Sequence, residues 1–221
     1  MPYAVGDLRM NSHTPRPRLL RNSRLLRRAD AIIDAAASVF AERGYHGAST
    51  QAIADVLGMR QASLYYYFAS KEAALQLVCE KGVDAFVDSA EAIAAGGAAP
   101  LDKLHALIVS HLAPNETKPD YVRVFINERR YLPEASRRRI GRKSRRIERC
   151  FEDAIRAGIA DGSISADTDV RTVMLAVLGM CNSVINWRAG DRGHTRQLAS
   201  ELSRLVIGGL APGTAVARSR Q

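Results

Sequence analysis

The chain has 221 residues, with 32 Lys or Arg against 23 Asp or Glu and a formal charge of +9. At 47% hydrophobic and 25% charged residues it has the make-up of a folded globular protein, which excludes disorder throughout and fits one large domain or two small ones. Three well-separated cysteines, Cys79, Cys150 and Cys181, form neither a disulfide framework nor a zinc signature, and a reducing cytoplasm is their natural setting. No apolar segment after Met1-Pro2-Tyr3 has the form of a secretory signal. The longest apolar run, Val173 to Trp187, is interrupted by Asn182, Ser183 and Asn186 and reads as too short to span a bilayer. Of the basic residues, 27 are arginine. Arginine binds phosphate bidentately, so the bias leans towards an anionic partner, although high genomic GC content produces the same bias with no function attached.

Residues 1–24 hold Pro2, Gly6, Asn11, Pro15, Pro17 and scattered arginines without periodicity, and they read as a disordered basic arm. Ala29, Ile32, Ile33, Ala36, Val39 and Phe40 then fall on one helical face that ends at Gly44. Ser49 or Thr50 is placed to cap a short helix carrying Ile53, Ala54 and Leu57, which stops at Gly58. A second short segment runs from Gln61 to Phe68. Ser70 caps a longer helix through Leu75, Val78, Cys79 and Phe86 that dissolves near Gly96-Gly97. Leu101, Leu104, Leu107, Ile108 and Leu112 mark a helix between Pro100 and Pro114, and Tyr121, Val122, Phe125 and Ile126 mark one that stops near Pro133. Ile140, Ile147, Phe151, Ile155 and Ile159 predict a long helix ending at Asp161-Gly162. Asp169 opens an apolar helix over Val170–Trp187, and Leu198, Leu202, Leu205 and Val206 mark the last. Residues 212–221 read as a tail. Nothing alternates as a strand, so the expected fold is all-α with about nine helices.

The informative stretch is Thr50 to Lys71, TQAIADVLGMRQASLYYYFASK, which reads as helix, tight turn, helix. Ala54 is small where two helices cross, Gly58 supplies a left-handed turn residue, and Ile53, Leu57, Met59 and Leu64 form the apolar wedge. Arg60, Gln61, Ser63, Tyr65 and Tyr66 are left outside, with donors, acceptors and ring surface suited to base edges and sugars. Three consecutive tyrosines do not all fit inside a small helical domain. Phe68 reads as core, whereas Tyr65 and Tyr66 read as exposed.

Residues 25–80 closely resemble the N-terminal domain of TetR-family transcriptional regulators. The resemblance rests on Ile53, Ala54, Gly58, Met59, Leu64, Tyr65, Tyr67, Phe68 and Lys71, and on the preceding Ala36, Phe40, Ala41, Glu42, Arg43, Gly44 and Tyr45. It implies a three-helix helix-turn-helix domain (motif 49–68), binding to a double-stranded DNA operator, and a homodimer. By position, Thr50 and Lys71 match phosphate contacts. Gln51, Gln61, Ala62 and Ser63 match base-facing positions, and Tyr65, Tyr66 and Tyr67 lie near sugars and phosphates. The arm from Arg16 to Arg28 would either follow the DNA backbone or stay solvated.

The second half, residues 81–211, resembles in layout the effector-binding and dimerisation domain of the family. The features from Tyr121 to Arg130, Leu132-Pro133 and Gly179 to Trp187 are similar to a subgroup that often senses acyl-CoA thioesters or other lipid-derived ligands, although Arg188 stands where that subgroup has an aromatic. Leu104, Ile108, His111, Phe125, Ile126 and Trp187 are candidates for an apolar pocket between helices. His111 is a candidate ligand contact or a satisfied structural histidine. The run RRRIGRKSRRIER, residues 137–149, is either a solvated helix face or a site for CoA phosphates, with Arg146 as its candidate ligand. A dimer interface is expected from Val177, Cys181, Val184, Leu198, Leu202, Leu205 and Val206, because a helix apolar all round needs cover on both sides. The scattered histidines give no catalytic or metal-binding pattern, so an enzyme and a resident cofactor or metal are not expected. A DNA-binding regulator controlled by a protein partner instead of a small molecule is the alternative reading.

Overall fold

Glycine and proline punctuation divides the chain into ten α-helices and one 3-10 turn among the residues that the computed structural model describes, 18–187 and 195–213. Helix α1 (Arg18–Gly47) has a break at Gly44, whose φ of 65° belongs to the left-handed region that favours glycine. Residues 18–24, expected in a disordered arm, form the first turns of this helix; the rest of the arm and the tail from residue 214 lie outside the described residues. Helix α2 (Thr50–Val56) is capped by Ser49, whose hydroxyl accepts from the Ala52 amide at 3.0 Å. Gly58, at φ 59°, makes the turn into α3 (Gln61–Leu64). The segment expected to be helical as far as Phe68 is regular only to Leu64 and continues as a turn through Tyr67.

Ser70 caps α4 (Lys71–Ala95) by accepting from the Ala73 amide, so one helix runs from the small N-terminal unit into the second half of the chain. Pro100, Pro114 and Pro119 then each open a helix at its first turn, where the missing N–H costs nothing: α5 (Pro100–Leu112), α6 (Pro114–Thr117) and α7 (Pro119–Asn127). The one-turn α6 has no counterpart in the apolar periodicity. A 3-10 turn (Arg129–Tyr131) leads into α8 (Glu134–Ala160), followed by α9 (Val170–Trp187), where Asp169 accepts from the Thr172 amide, and α10 (Thr195–Leu210).

Three packed layers matter for function. In the N-terminal unit, Ile53, Ala54, Leu64 and Phe68 close over Phe40 and Val39 of α1. In the second half, α4 lies along α8 and α5 lies between α8 and α10, around Leu104, Ile108, Leu112, Phe151 and Ile155. Helix α7 sits between these units, against α1 and α4 on one side and α9 on the other. Among the described residues, α9 alone is long and apolar enough to cross a membrane by length and composition, contrary to the reading of that run as too short. Its buried face, Met174, Val177, Cys181, Val184 and Ile185, is packed inside this helical core.

Leu104 and Ile108, expected to line an effector pocket, are fully buried in the core. Their spacing marks the buried stripe of α5, which sequence periodicity does not distinguish from a pocket wall. Replacing Ile108 with Ala is therefore expected to destabilise the chain by roughly 2–5 kcal/mol. In urea unfolding the midpoint should fall with an unchanged slope. A variant as stable as wild type would place Ile108 at a cavity.

Candidate nucleic-acid interface and effector chamber

The exposed face of the helix-turn-helix is built by burying its opposite side. Leu64 and Phe68 are drawn into the core, and this turns Arg60, Ala62, Ser63, Tyr65 and Tyr66 outwards. Tyr66 is 79% exposed and Tyr65 54%, while Tyr67 is half-buried with its ring edge-on to Tyr66. Gln61 donates through Nε2 to the Thr50 hydroxyl at 2.6 Å, tying α3 to the start of α2. Gln51 is exposed and donates to Asp55 at 2.7 Å. Thr50, Tyr65 and Lys71 line one shallow concavity between the starts of α2 and α4.

Lys71, matched by position to a phosphate clamp, has a structural engagement that sequence did not anticipate. Its Nζ donates to the carbonyls of Tyr45 at 2.8 Å and Ala48 at 3.0 Å, closing the end of α1, and lies 4.4 Å from the centre of the Tyr45 ring. An ammonium has three N–H donors, so one remains for an anion in the concavity.

Tyr45 is also the joint between the two halves. Its hydroxyl is bonded to Glu72, and its backbone amide donates to Glu128 at 2.8 Å. Its ring stacks on Tyr131 at 5.2 Å, with His46 edge-on to the same ring. Burial and then the Glu72 carboxylate push the Tyr45 phenol up to about 12, so it stays a donor at neutral pH. A second tie joins Tyr121 of α7 through its hydroxyl to Asp34 of α1, beside Lys81, which bridges Asp30 at 2.9 Å and Asp34 at 3.3 Å.

The opposite face of α7 lines a chamber of about 250 Å³. Val122, Phe125, Ile126 and Arg129 recur at helical spacing along one wall, and Val83, Phe86, Leu175 and Leu178 supply apolar surface from α4 and α9. Polar groups enter at set points. His111 is half-buried and bonded to Asn182 Oδ1 at 3.0 Å, with Phe86 and Phe151 against its ring. Asn115 donates to the Leu112 carbonyl, but its buried Oδ1 has no partner among the described residues.

Of the residues expected at the effector, His111, Phe125 and Ile126 line the chamber, and His111 is both satisfied and in the wall. Trp187 is half exposed and lines no wall of it. Arg146 is held elsewhere, in a bidentate pair with Glu91 at 2.6 and 2.7 Å. Sequence reasoning missed Arg129 and Asn115. The seven-residue spacing of Arg129 from Val122, which continues the chamber face of α7 into the 3-10 turn, was a legible signal; Asn115 lies in the unforeseen α6 and had none.

The expected dimer residues also divide. Val177, Cys181, Val184 and Leu202 are buried within the chain, and Cys181 reaches the chamber wall. Leu198 and Val206 are half-buried, and Leu205 is exposed. An all-round apolar helix does not reveal which side its own core takes, and here the core took the expected interface side.

Burial holds the His111 imidazole below its ordinary value, with Asn182 opposing in part. Below about pH 6.5 the unfolded chain therefore binds a proton that the folded chain refuses, and stability falls as pH drops. Urea unfolding at about pH 7.5 and 5.5 should show this loss in wild type and a smaller one in His111→Gln, which keeps a hydrogen-bonding side chain. Equal losses in both would mean that His111 is not the source.

Two family descriptions match consecutive parts of the chain: "Bacterial regulatory proteins, tetR family" over residues 32–78, and "Tetracyclin repressor-like, C-terminal domain" over residues 97–210. A relative described as HTH-type transcriptional repressor KstR2, from Mycolicibacterium smegmatis, is 25% identical over 185 residues, covering 83% of this chain and 90% of its own. The fatty acid metabolism regulator protein of Bacillus subtilis is 25% identical, covering 81% of this chain and 93% of its own. The solved ketosteroid transcriptional regulator KstR2 of Mycobacterium tuberculosis superposes with a TM-score of 0.77 at 25% identity, over 83% of this chain and 95% of that one. The helix-turn-helix geometry and these matches agree, and the chain belongs to the TetR family of DNA-binding transcriptional regulators rather than to any class of enzymes.

Proposed function

We propose that the chain is a cytoplasmic repressor that binds a palindromic operator as a homodimer and releases it when a small, mainly apolar effector, of the acyl-CoA type, fills the chamber. The observation that carries this is the double role of α7. One face, with Tyr121, Val124 and then Glu128 just beyond its end, is fastened to α1 or buried against it; the other, with Val122, Phe125, Ile126 and Arg129, is a wall of the chamber. A molecule that displaces this wall displaces the end of α1 and with it the helix-turn-helix. Relatives described as a fatty acid metabolism regulator and a ketosteroid regulator support an apolar effector. Control by a protein partner leaves a preformed apolar chamber without a purpose.

On the DNA, Gln51, Arg60, Gln61, Ala62 and Ser63 are assigned to the major groove. Thr50, the tyrosines from Tyr65 to Tyr67 and the remaining N–H of Lys71 are assigned to the backbone. A dimer is needed because one seven-residue and one four-residue helix reach only a half-site, and two half-sites lie about 34–36 Å apart. The surface assigned to it is the solvent side of α9 and α10. There Trp187 and Leu205 are exposed beside the small residues Ala176, Gly208 and Gly209, which permit close helix approach.

Two variants test these assignments on an operator selected by the wild-type chain from random duplexes. Tyr66→Ala should weaken binding by about 1–3 kcal/mol without altering thermal stability. Trp187→Glu with Leu205→Glu should sediment as a folded monomer with far weaker operator binding. Unchanged operator affinity in the first, or a dimer in the second, would overturn the corresponding assignment.

A further inference from the structure

The arginine run on α8 separates into two faces with different fates. Arg139, Lys143 and Arg146 lie on one face and pair with Glu80, Asp84 and Glu91 of α4, at 2.8, 2.5 and 2.6 Å. The Arg146 guanidinium holds the Glu91 carboxyl below its ordinary range. This half of the run is structural: it is a ladder that fixes α8 along α4.

The other face has no such partners. Arg137 and Arg145 join Arg129 and Arg130 around a groove of about 350 Å³ between the 3-10 turn and α8, floored by Ile140 and Gly141. The engagements recorded for these four guanidinium groups are weak. Arg129 lies over the Phe125 ring at 4.9 Å, Arg130 over the Tyr131 ring at 5.0 Å, and Arg137 donates to the Arg130 carbonyl at 3.0 Å. The groove contains one carboxylate, Glu148, and no ion pair joins it to these arginines among the described residues. Four cations facing one anion repel one another unless an anionic occupant is present.

The groove adjoins the chamber. Ile126, Arg129, Ser144 and Glu148 line both, so the arginines stand beside the edge of the apolar chamber. We propose that the groove holds the phosphate groups of the effector: a coenzyme A thioester whose acyl part fills the chamber and whose phosphorylated carrier lies across Arg129, Arg130, Arg137 and Arg145. This deepens the acyl-CoA reading given above and rests on it. Guanidinium groups suit such an occupant because their paired N–H donors match phosphate oxygens and stay charged. The site also lies on the joint. Arg129 and Arg130 are consecutive with Glu128 and Tyr131, two of the residues that hold Tyr45, so phosphates drawing on these arginines pull on the turn fastened to the end of α1.

The test is calorimetric titration of the full chain with a series of coenzyme A thioesters from acetyl to palmitoyl, with the matching free acids, and with unacylated coenzyme A. Wild type should bind one or more thioesters better than the matching acid. Arg137→Gln with Arg145→Gln should lose about tenfold or more in thioester affinity, with the loss shrinking at high salt, and should bind the free acid as wild type does. Arg145→Gln alone should show a smaller loss of the same kind. Arg142→Gln, which lines neither cavity, should match wild type. If the variants bind thioesters as tightly as wild type does, or if acid and thioester bind equally, the groove proposal is wrong and an apolar effector in the chamber still stands. If wild type binds no thioester, the acyl-CoA reading fails and takes the groove proposal with it.

Discussion

The backbone amide of Tyr45 depends on an acceptor from outside its own helix. Gly44, in the left-handed region, breaks the regular path of α1, and the Glu128 carboxylate accepts the Tyr45 N–H from 83 residues away. That bond ties the end of α1 to the 128–131 turn, and the helix-turn-helix packs on Phe40 and its neighbours just before the break. The stacking of Tyr45 on Tyr131, the cap from Lys71 and the bond to Glu72 all converge on the same residue. The DNA-binding unit is thereby fastened to the 128–131 turn.

Charge on α8 shows how one composition supports two roles. The run from 137 to 149 alternates between residues that meet the acids of α4 and residues that meet none, and helical periodicity decides which is which. Exposed ion pairs contribute little each, typically about 0–1 kcal/mol, so the ladder aligns α8 more than it stabilises it. Aligning α8 is what brings the unpaired arginines to the edge of the chamber.

Much of this was legible in the sequence, and the failures share a cause. The helix-turn-helix was readable because its signals are local: Ser49 and Ser70 as caps, Gly58 as the turn residue, and three tyrosines in a row that a small domain has no room to bury. The second half was readable as helices but not as surfaces. Leu104 and Ile108 belong to the core rather than the chamber, and Val177, Cys181, Val184 and Leu202 face inwards, because an apolar stripe records that a side chain is covered and not by what. Arg146 was indistinguishable from Arg145 without knowing where the acids of α4 would fall. The Tyr45–Glu128 bond has no sequence signature at all, since it joins a backbone group to a side chain far along the chain.

The central claim is that occupancy of the chamber acts on the DNA-binding unit through the turn that holds Tyr45. Hydrogen exchange on the full chain, with and without the tightest-binding thioester, tests it most directly. The account predicts protection along Val122–Ile126 together with altered exchange in residues 44–48 and 128–131. Protection of the chamber walls with no change at Tyr45 or in that turn would contradict it.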